Sequence, residues 1–288
     1  MWSKIAEEIS QVTKEKFTIN HRRSVGGGCI NQGYALIGEQ RTYFVKLNSA
    51  SGLEMFAAEA LGLKHMGETQ TIRIPQPVCW GSVDKYAYLV MEWLELGRGG
   101  GSNSWEIMGH QLAKMHRFMG ANKFGWDVNN TIGSTPQINT WTESWSEFFA
   151  QHRIGYQLRL AKRRGGNFPD TGKVVDAVQE FLADHNPQPS LVHGDLWSGN
   201  AAVTDAGEPV IFDPATYWGD REVDIAMTEL FGGFPAAFYN GYNQAWELDS
   251  GYGQRKNLYN LYHILNHFNL FGGSYESQAM GMIRRIMS

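Results

Sequence analysis

Apolar residues recur along the chain in two rhythms, and the change from one to the other divides it. Trp2, Ile5, Ile9 and Val12 fall at helical spacing with polar residues between them, which predicts an amphipathic first helix. Phe17 to Val25, Tyr34 to Ile37 and Tyr43 to Leu47 are rich in Val, Ile, Tyr, Phe and Thr. A glycine cluster and the polar turn Gly38-Glu39-Gln40 separate them, so they read as a three-strand meander. Leu53 to Met66 returns to helical spacing through Phe56, Ala57, Ala60, Leu61 and Leu63, before Pro75 and Pro77 break the chain. Val78 to Ser82 and Tyr86 to Met91 flank the turn Val83-Asp84-Lys85 and predict a second hairpin.

The sharpest break is Gly97-Arg98-Gly99-Gly100-Gly101-Ser102-Asn103-Ser104, where glycine sets no direction for the backbone. It places a boundary between a small β-rich lobe, 1–93, and a larger lobe, 94–288. Helical patterns dominate the second: Trp105 to Met119, Trp141 to Ala161, Val174 to Ala183 and most of Asp224 to Met287, with one β-hairpin near residue 200. The expected fold class is α+β, and no repeat of fixed period is visible.

Composition narrows the function classes. The 288 residues are 42% apolar and 13% aromatic, enough to bury a sizeable core. Lys and Arg number 25 against 29 Asp and Glu, and no basic run exceeds three residues, so no dedicated nucleic-acid surface is expected. Cys29 and Cys79 are too few for a disulfide framework, and the N-terminus lacks a basic start followed by an apolar run. A reducing cytoplasm is the expected compartment. Apolar stretches such as Tyr86 to Met91 fall far short of the roughly 20 residues that cross a bilayer, so no membrane contact is expected.

The most informative segment is His193-Gly194-Asp195-Leu196-Trp197-Ser198-Gly199-Asn200, which sets an Asp and an Asn in one tight loop. A hairpin follows: Ala201 to Val203 and Pro209 to Phe212, joined by Thr204-Asp205-Ala206-Gly207-Glu208 and ending at Asp213. A hairpin folds back on itself, so Asn200 at its entrance and Asp213 at its exit should lie side by side. Their oxygens could ligate Mg²⁺. Asp195 could accept a proton from a hydroxyl attacking a phosphoryl group. The spaced set resembles the catalytic loop and metal-binding Asp of protein-kinase-like phosphotransferases.

The first lobe offers matching parts. Gly26, Gly27 and Gly28, between the first two expected strands, would let backbone N–H groups approach phosphates without Cβ interference, although the triplet alone is weak and is not a Walker A loop. Lys46 stands in the third strand among apolar neighbours. In a kinase-like lobe it would bind the α- and β-phosphates, oriented by a carboxylate of the next helix, Glu59 first and Glu54 second. The backbone of Glu92, Trp93 and Leu94 ends the fifth strand where a kinase hinge would meet adenine.

Together these positions resemble the fructosamine kinase family, the ketoamine kinase branch of the aminoglycoside and choline kinase-like group. The resemblance rests on Gly26-Gly27-Gly28-Cys29-Ile30-Asn31, Met55-Phe56-Ala57-Ala58-Glu59-Ala60, Met91-Glu92-Trp93-Leu94 and Leu112-Ala113-Lys114-Met115-His116. It continues through Phe124-Gly125-Trp126 with Asn130-Thr131-Ile132-Gly133, the loop 193–200, Phe212-Asp213-Pro214-Ala215 and Asp224-Ile225-Ala226-Met227. It implies a bilobal protein-kinase-like fold and phosphorylation of the 3-hydroxyl of a ketoamine with ATP and Mg²⁺, a deglycation repair step. Carried over, Asp195 is the general base, Asn200 and Asp213 hold Mg²⁺, Lys46 and Glu59 position the phosphates, and Glu92 to Leu94 hold adenine. Pro-Ala after Asp213, in place of Phe-Gly, and the lack of an Ala-Pro-Glu segment disfavour protein kinase activity.

A ketoamine, small or protein-bound, presents a cationic amine beside hydroxyls, so its pocket should combine carboxylates with aromatic faces. Trp197, Trp218 and Asp220 are the candidates, and Asp224 is expected to brace the catalytic loop. His110 and His116 are expected to be structural, since no His-Glu-x-x-His zinc spacing occurs. Other acceptors of the same fold class (an aminoglycoside, choline or a sugar) and a catalytically silent nucleotide-binding module are the rival readings. Cys29 lies in the glycine loop, where positive potential would lower a thiol pKa. Some relatives are expected to use this cysteine in an intermolecular disulfide, which leaves monomer and homodimer both open.

Overall fold

Helix α1, Trp2–Thr13, turns Ile5 and Ile9 onto a sheet in the computed structural model, which describes residues 1–26, 30–97 and 100–288. The sheet contains β1 (His21–Val25), β2 (Gln32–Ile37) and β3 (Thr42–Ser49). After α2 (Leu53–Glu68) come β4 (Pro77–Val83) and β5 (Tyr86–Glu92), in the spatial order β1-β2-β3-β5-β4, antiparallel throughout. Strand alternation divides its residues between two faces. Tyr43, Val45 and Leu47 join Ile5, Ile9, Leu36, Tyr88 and Val90 in one buried cluster, leaving Phe44 and Lys46 on the opposite face of β3. α2 packs on β4 and β5 through a buried row that includes Phe56, Ala60, Leu63 and Met66.

From α3 (Ser102–His116) onward helices predominate. A short pair, β6 (Asn130–Ile132) and β7 (Thr135–Gln137), precedes α4 (Trp145–Phe148), which continues through one wider π-type turn, Phe149–Gly155, into α5 (Tyr156–Arg163). α6 (Thr171–Phe181) begins at Asp170, whose carboxylate accepts from the Lys173 amide at 3.1 Å, a side-chain N-cap. Then come β8 (Ser190–Val192), the hairpin strands β9 (Ala201–Val203) and β10 (Pro209–Ile211), and β11 (Tyr217–Gly219), which pairs antiparallel with β8. α7 (Glu222–Leu230), α8 (Ala236–Ala245), α9 (Tyr252–Phe271) and α10 (Tyr275–Met287) complete the chain. α3 and α8 meet at glycines: a Cβ on Gly109 would lie 2.1 Å from the Phe238 carbonyl, and one on Gly241 would lie 2.1 Å from that of Glu106. Among the described residues no helix is long and apolar enough to cross a membrane.

Two compact units result. One comprises Met1–Ser104 with Gly199–Pro214, the other Trp105–Ser198 with Ala215–Ser288. The first unit therefore runs past residue 93 and takes in the β9–β10 hairpin. Backbone bonds explain why: Gly97 N donates to Val203 O at 2.8 Å, Asp205 N to Glu95 O at 3.0 Å, and Ile211 N to Arg73 O at 3.1 Å. Two expectations shift. Val12 is 47% exposed, so the apolar stripe of α1 ends at Ile9. Beyond residue 94 the β structure is more than one hairpin, because β6, β7, β8 and β11 are only three residues each and carry no readable alternation.

Candidate active site

In the first unit, strand alternation turns Lys46 away from the α1 face and toward α2. Its ammonium lies 2.5 Å from Glu59 Oε1 and 2.6 Å from Asp213 Oδ1, and the lysine is 6% exposed. Burial alone would lower the lysine pKa, but the attraction of Asp213 and Glu59 outweighs it and holds the group well above the ordinary lysine value. The two carboxylates thus favour its ammonium form. Burial raises the Glu59 carboxyl, against the pull of Lys46 and with the repulsion of Asp213.

Asn200 is buried at the hairpin entrance, and Phe212 N donates to its carbonyl at 3.0 Å. This bond sets Asn200 against the residue before Asp213, as the hairpin argument requires. Asp213 adopts φ 57°, a left-handed conformation that Asp tolerates better than most residues and that ends the strand sharply. A carboxylate has about four acceptor positions, so the contact through Oδ1 does not exhaust it. One amide oxygen and one carboxylate are hard donors, a set suited to Mg²⁺ and not to a thiophilic metal.

In the second unit, Asp195 is half-buried and follows a tightly held turn. His193 N and Gly194 N donate to the two oxygens of Asp224 at 2.7 and 2.8 Å, and His116 Nε2 sits 3.0 Å from Asp224 Oδ2. Tyr242 OH closes the chain at 2.8 Å from His116 Nδ1. Burial would raise the Asp224 carboxyl, yet the bonds from His116 and His193 hold it below the ordinary Asp value. Gly194 has φ 81°, and a Cβ there would lie 2.1 Å from the Ala215 carbonyl, so only glycine fits. Asp224 thus braces the loop, and His116 is structural in the sense that it holds that brace.

The remaining candidates divide. Gly26 has open space where a Cβ would stand; Gly27, Gly28 and Cys29 lie outside the described residues. Glu92 N already donates to Gln76 O at 2.8 Å, so among the three positions expected to face adenine its backbone donor is taken. The Glu92 carboxylate pairs with Arg73. A cavity of about 590 Å³ is lined by Glu92 and Trp93 themselves, with Thr42, Tyr43, Arg73 and Val78.

Trp197 is 37% exposed and free of any ordered strand or helix, as an acceptor contact could be. Trp218 and Asp220 are placed differently. Trp218 is 7% exposed and exchanges backbone bonds with Gly125 at 2.9 and 3.0 Å. Asp220 is 1% exposed and accepts from Tyr259 OH at 2.6 Å and from Glu222 N at 3.0 Å, and it lies 2.7 Å from His185 Nε2. Both oxygens are engaged, which makes Asp220 a brace and leaves little of it for a ligand.

Sequence reasoning passed over Arg153, which is wholly buried. The signal was present: Trp145, Phe149 and Arg153 are spaced by four, so a charged residue occupies the apolar stripe of its helix.

The sequence model of the fructosamine kinase family matches residues 1–288. The chain belongs to the fructosamine kinase family. It is 60% identical over 286 residues to a protein named probable ketoamine kinase from Synechocystis, covering 99% of this chain and 97% of that one. It is 44% identical over 265 residues to the chloroplastic protein-ribulosamine 3-kinase of Arabidopsis thaliana, covering 90% of this chain and 80% of that one. A crystal structure from Haemophilus somnus, assigned as a fructosamine-3-kinase, superposes with TM-score 0.94 at 34% identity, covering 100% and 98% of the two chains. An aminoglycoside phosphotransferase in ternary complex with ADP and hygromycin B superposes with TM-score 0.64 at 14% identity, covering 99% and 98%, which shows the shared protein-kinase-like fold. The α+β architecture and the kinase activity expected from the motifs both stand.

Proposed function

We propose that this fructosamine kinase family member transfers the γ-phosphoryl group of ATP to the 3-hydroxyl of a ketoamine, small or protein-bound, and so initiates deglycation. The observation that carries the reading is the Lys46–Glu59–Asp213 cluster, a buried cation held by two carboxylates and aimed off the sheet, together with the braced loop that ends in Asp195.

Each residue has a distinct task. Lys46 binds α- and β-phosphate oxygens, and Glu59 fixes its direction, which reduces the freedom lost when nucleotide binds. Asn200 and Asp213 would hold Mg²⁺, which when bound neutralises charge on the phosphates. Asp195 accepts the proton of the acceptor hydroxyl as its oxygen attacks phosphorus, and the leaving ADP carries away the electron pair of the broken P–O bond. Trp197 is the proposed aromatic face for the acceptor amine. The backbone of Trp93 and Leu94 is the proposed adenine edge, with the Trp93 ring supported by Phe44 and by Arg23, whose guanidinium is 4.9 Å from the ring centre.

The test is a product panel. Purified protein with ATP and Mg²⁺ is offered fructosyl-lysine, ribulosyl-lysine, choline and kanamycin, and products are read by mass spectrometry and phosphorus NMR. A 3-phosphate on one or both ketoamines and none on the others is expected. Turnover of kanamycin or choline alone would overturn the reading.

A further inference from the structure

Arg153 is a fully buried cation in the π-type turn, and none of the ion pairs among the described residues involves it. A guanidinium cannot shed its proton in a protein, so its charge must be satisfied where it lies. Aromatic faces supply part of this: the guanidinium carbon is 4.1 Å from the Tyr217 ring centre and 4.6 Å from that of Phe148. Oxygens supply the rest, with Nη1 donating to Ile138 O at 2.5 Å and Nη2 to Asn139 Oδ1 at 2.8 Å.

From Asn139 a chain of buried amides runs to the backbone behind the catalytic loop. Asn139 Nδ2 donates to Asn130 Oδ1 at 2.9 Å, and Asn130 Nδ2 donates to Thr216 O at 2.9 Å. Gln137 Nε2 donates to Asn130 Oδ1 at 2.8 Å and to Ala215 O at 3.0 Å. Tyr262 OH donates to Gln137 Oε1 at 2.7 Å. Ala215 in turn donates its amide to His193 O at 2.8 Å, and its carbonyl is the atom that excludes any side chain at Gly194.

Each side-chain amide in such a chain can be turned through 180°, exchanging donor for acceptor. Here backbone carbonyls, which only accept, hold each NH₂ end: Val128 O on Asn139 at 3.1 Å, Thr216 O on Asn130 at 2.9 Å and Ala215 O on Gln137 at 3.0 Å. Arg153 holds the far end, since it can only donate and meets the Asn139 oxygen. We infer that Arg153 is a positioning residue for phosphoryl transfer: as a buried cationic donor it anchors the far end of the Asn139–Asn130–Gln137 amide relay, which fixes the Ala215–Thr216 backbone against the turn preceding Asp195. The inference rests on the proposed reaction for its kinetic readout and on the fold alone for its exchange readout. It also gives the Asn130-Thr131-Ile132-Gly133 block a task that the catalytic residues do not explain.

The experiment compares Arg153→Met, Arg153→Lys, Arg153→Gln and Gln137→Met with the parent, using kcat and KM for ATP and ketoamine and hydrogen exchange of the peptide spanning 190–218. Arg153→Met should lower kcat at least about tenfold with KM for ATP within about threefold, and should speed exchange at the Ala215 amide. Arg153→Lys, which keeps the buried cation and its donors, should recover kcat to within about threefold of the parent; Arg153→Gln, which loses the charge held against Tyr217 and Phe148, should not. Gln137→Met keeps the cation and removes the branch of the relay that bonds the Ala215 carbonyl, so it should lower kcat and speed Ala215 exchange, and it tests whether the relay holds that backbone if Arg153→Met fails to fold. Should Gln137→Met keep parental kcat and parental Ala215 exchange, or should Arg153→Gln match Arg153→Lys, the positioning role is overturned. Faster exchange with no ketoamine turnover in any protein, the parent included, would sink the proposed reaction and leave the relay standing.

Discussion

Asp213 Oδ1 and Lys46 Nζ lie 2.6 Å apart, although one ends a hairpin near residue 210 and the other sits in the middle of β3. Glu59 approaches the same ammonium at 2.5 Å, so one buried cation serves two carboxylates. Replacing it with an apolar group of similar length strands Glu59, while Asp213, 41% exposed, keeps access to water. Lys46→Met is expected to cost about 3 kcal/mol of stability, because an unpaired buried charge remains, and to lower kcat/KM for ATP at least about 100-fold. Urea titration and steady-state kinetics measure the two effects separately. A variant with parental turnover would show that the ammonium is not a phosphate contact.

Asp195→Asn keeps size and shape while removing the proton acceptor. Turnover should fall at least about 100-fold, with nucleotide affinity by calorimetry within about threefold of the parent. Equal losses in turnover and nucleotide affinity would contradict the general-base role.

Asp224 accepts from two successive backbone amides and from His116. Asp224→Asn turns an NH₂ toward donors and should cost about 3 kcal/mol, visible as a lowered thermal midpoint, with kcat falling as well since the turn before Asp195 loses its anchor. His116→Gln should fall between this variant and the parent on both measures.

His263 is almost wholly buried, and burial lowers its pKa from 6.5 to about 3, with His267 and Arg153 adding repulsion. The unfolded chain takes up that proton near pH 6.5 while the folded chain refuses it until about pH 3. Unfolding therefore binds a proton across this window, and its contribution to stability, complete above pH 6.5, is lost as pH falls. His263→Leu should reduce the slope of unfolding free energy between pH 6 and 4.5 by about 1.4 kcal/mol per pH unit, checked by denaturant titration across that range. An unchanged slope would place the acid sensitivity elsewhere.

The legible features were local ones. Asn200 and Asp213 could be set side by side because a hairpin is defined by its own turn residues, and Lys46 stood out because β3 alternates. Glu59, ahead of Glu54, followed from the kinase-like resemblance and not from spacing. β8 and β11 were not legible: each has three residues, and their pairing joins segments separated by the entire catalytic loop and hairpin. Residue type alone makes Trp218 and Asp220 candidates for a ligand, whereas the pairing of β11 with β8 takes in Trp218 and the bonds from Tyr259, His185 and Glu222 hold Asp220 just beyond that strand. The helix expected from Trp141 begins only at Trp145, since Ser144 caps it by accepting from Glu147 N at 3.4 Å. Arg153 was invisible to any reading that ranks charged residues by motif, because its partners, Ile138 O and Asn139 Oδ1, lie earlier in the chain, before α4, and belong to no motif.

The return of residues 199–214 to the first unit has a practical consequence for anyone wishing to split this enzyme. Neither unit is a contiguous stretch of chain: the first is interrupted by ninety-odd residues of the second, which is itself interrupted by the hairpin. A single cut anywhere leaves one fragment missing part of its own scaffold. Separate expression therefore calls for grafting the hairpin behind residue 104 through a designed linker, and a plain truncation there would leave Lys46 facing Glu59 without Asp213.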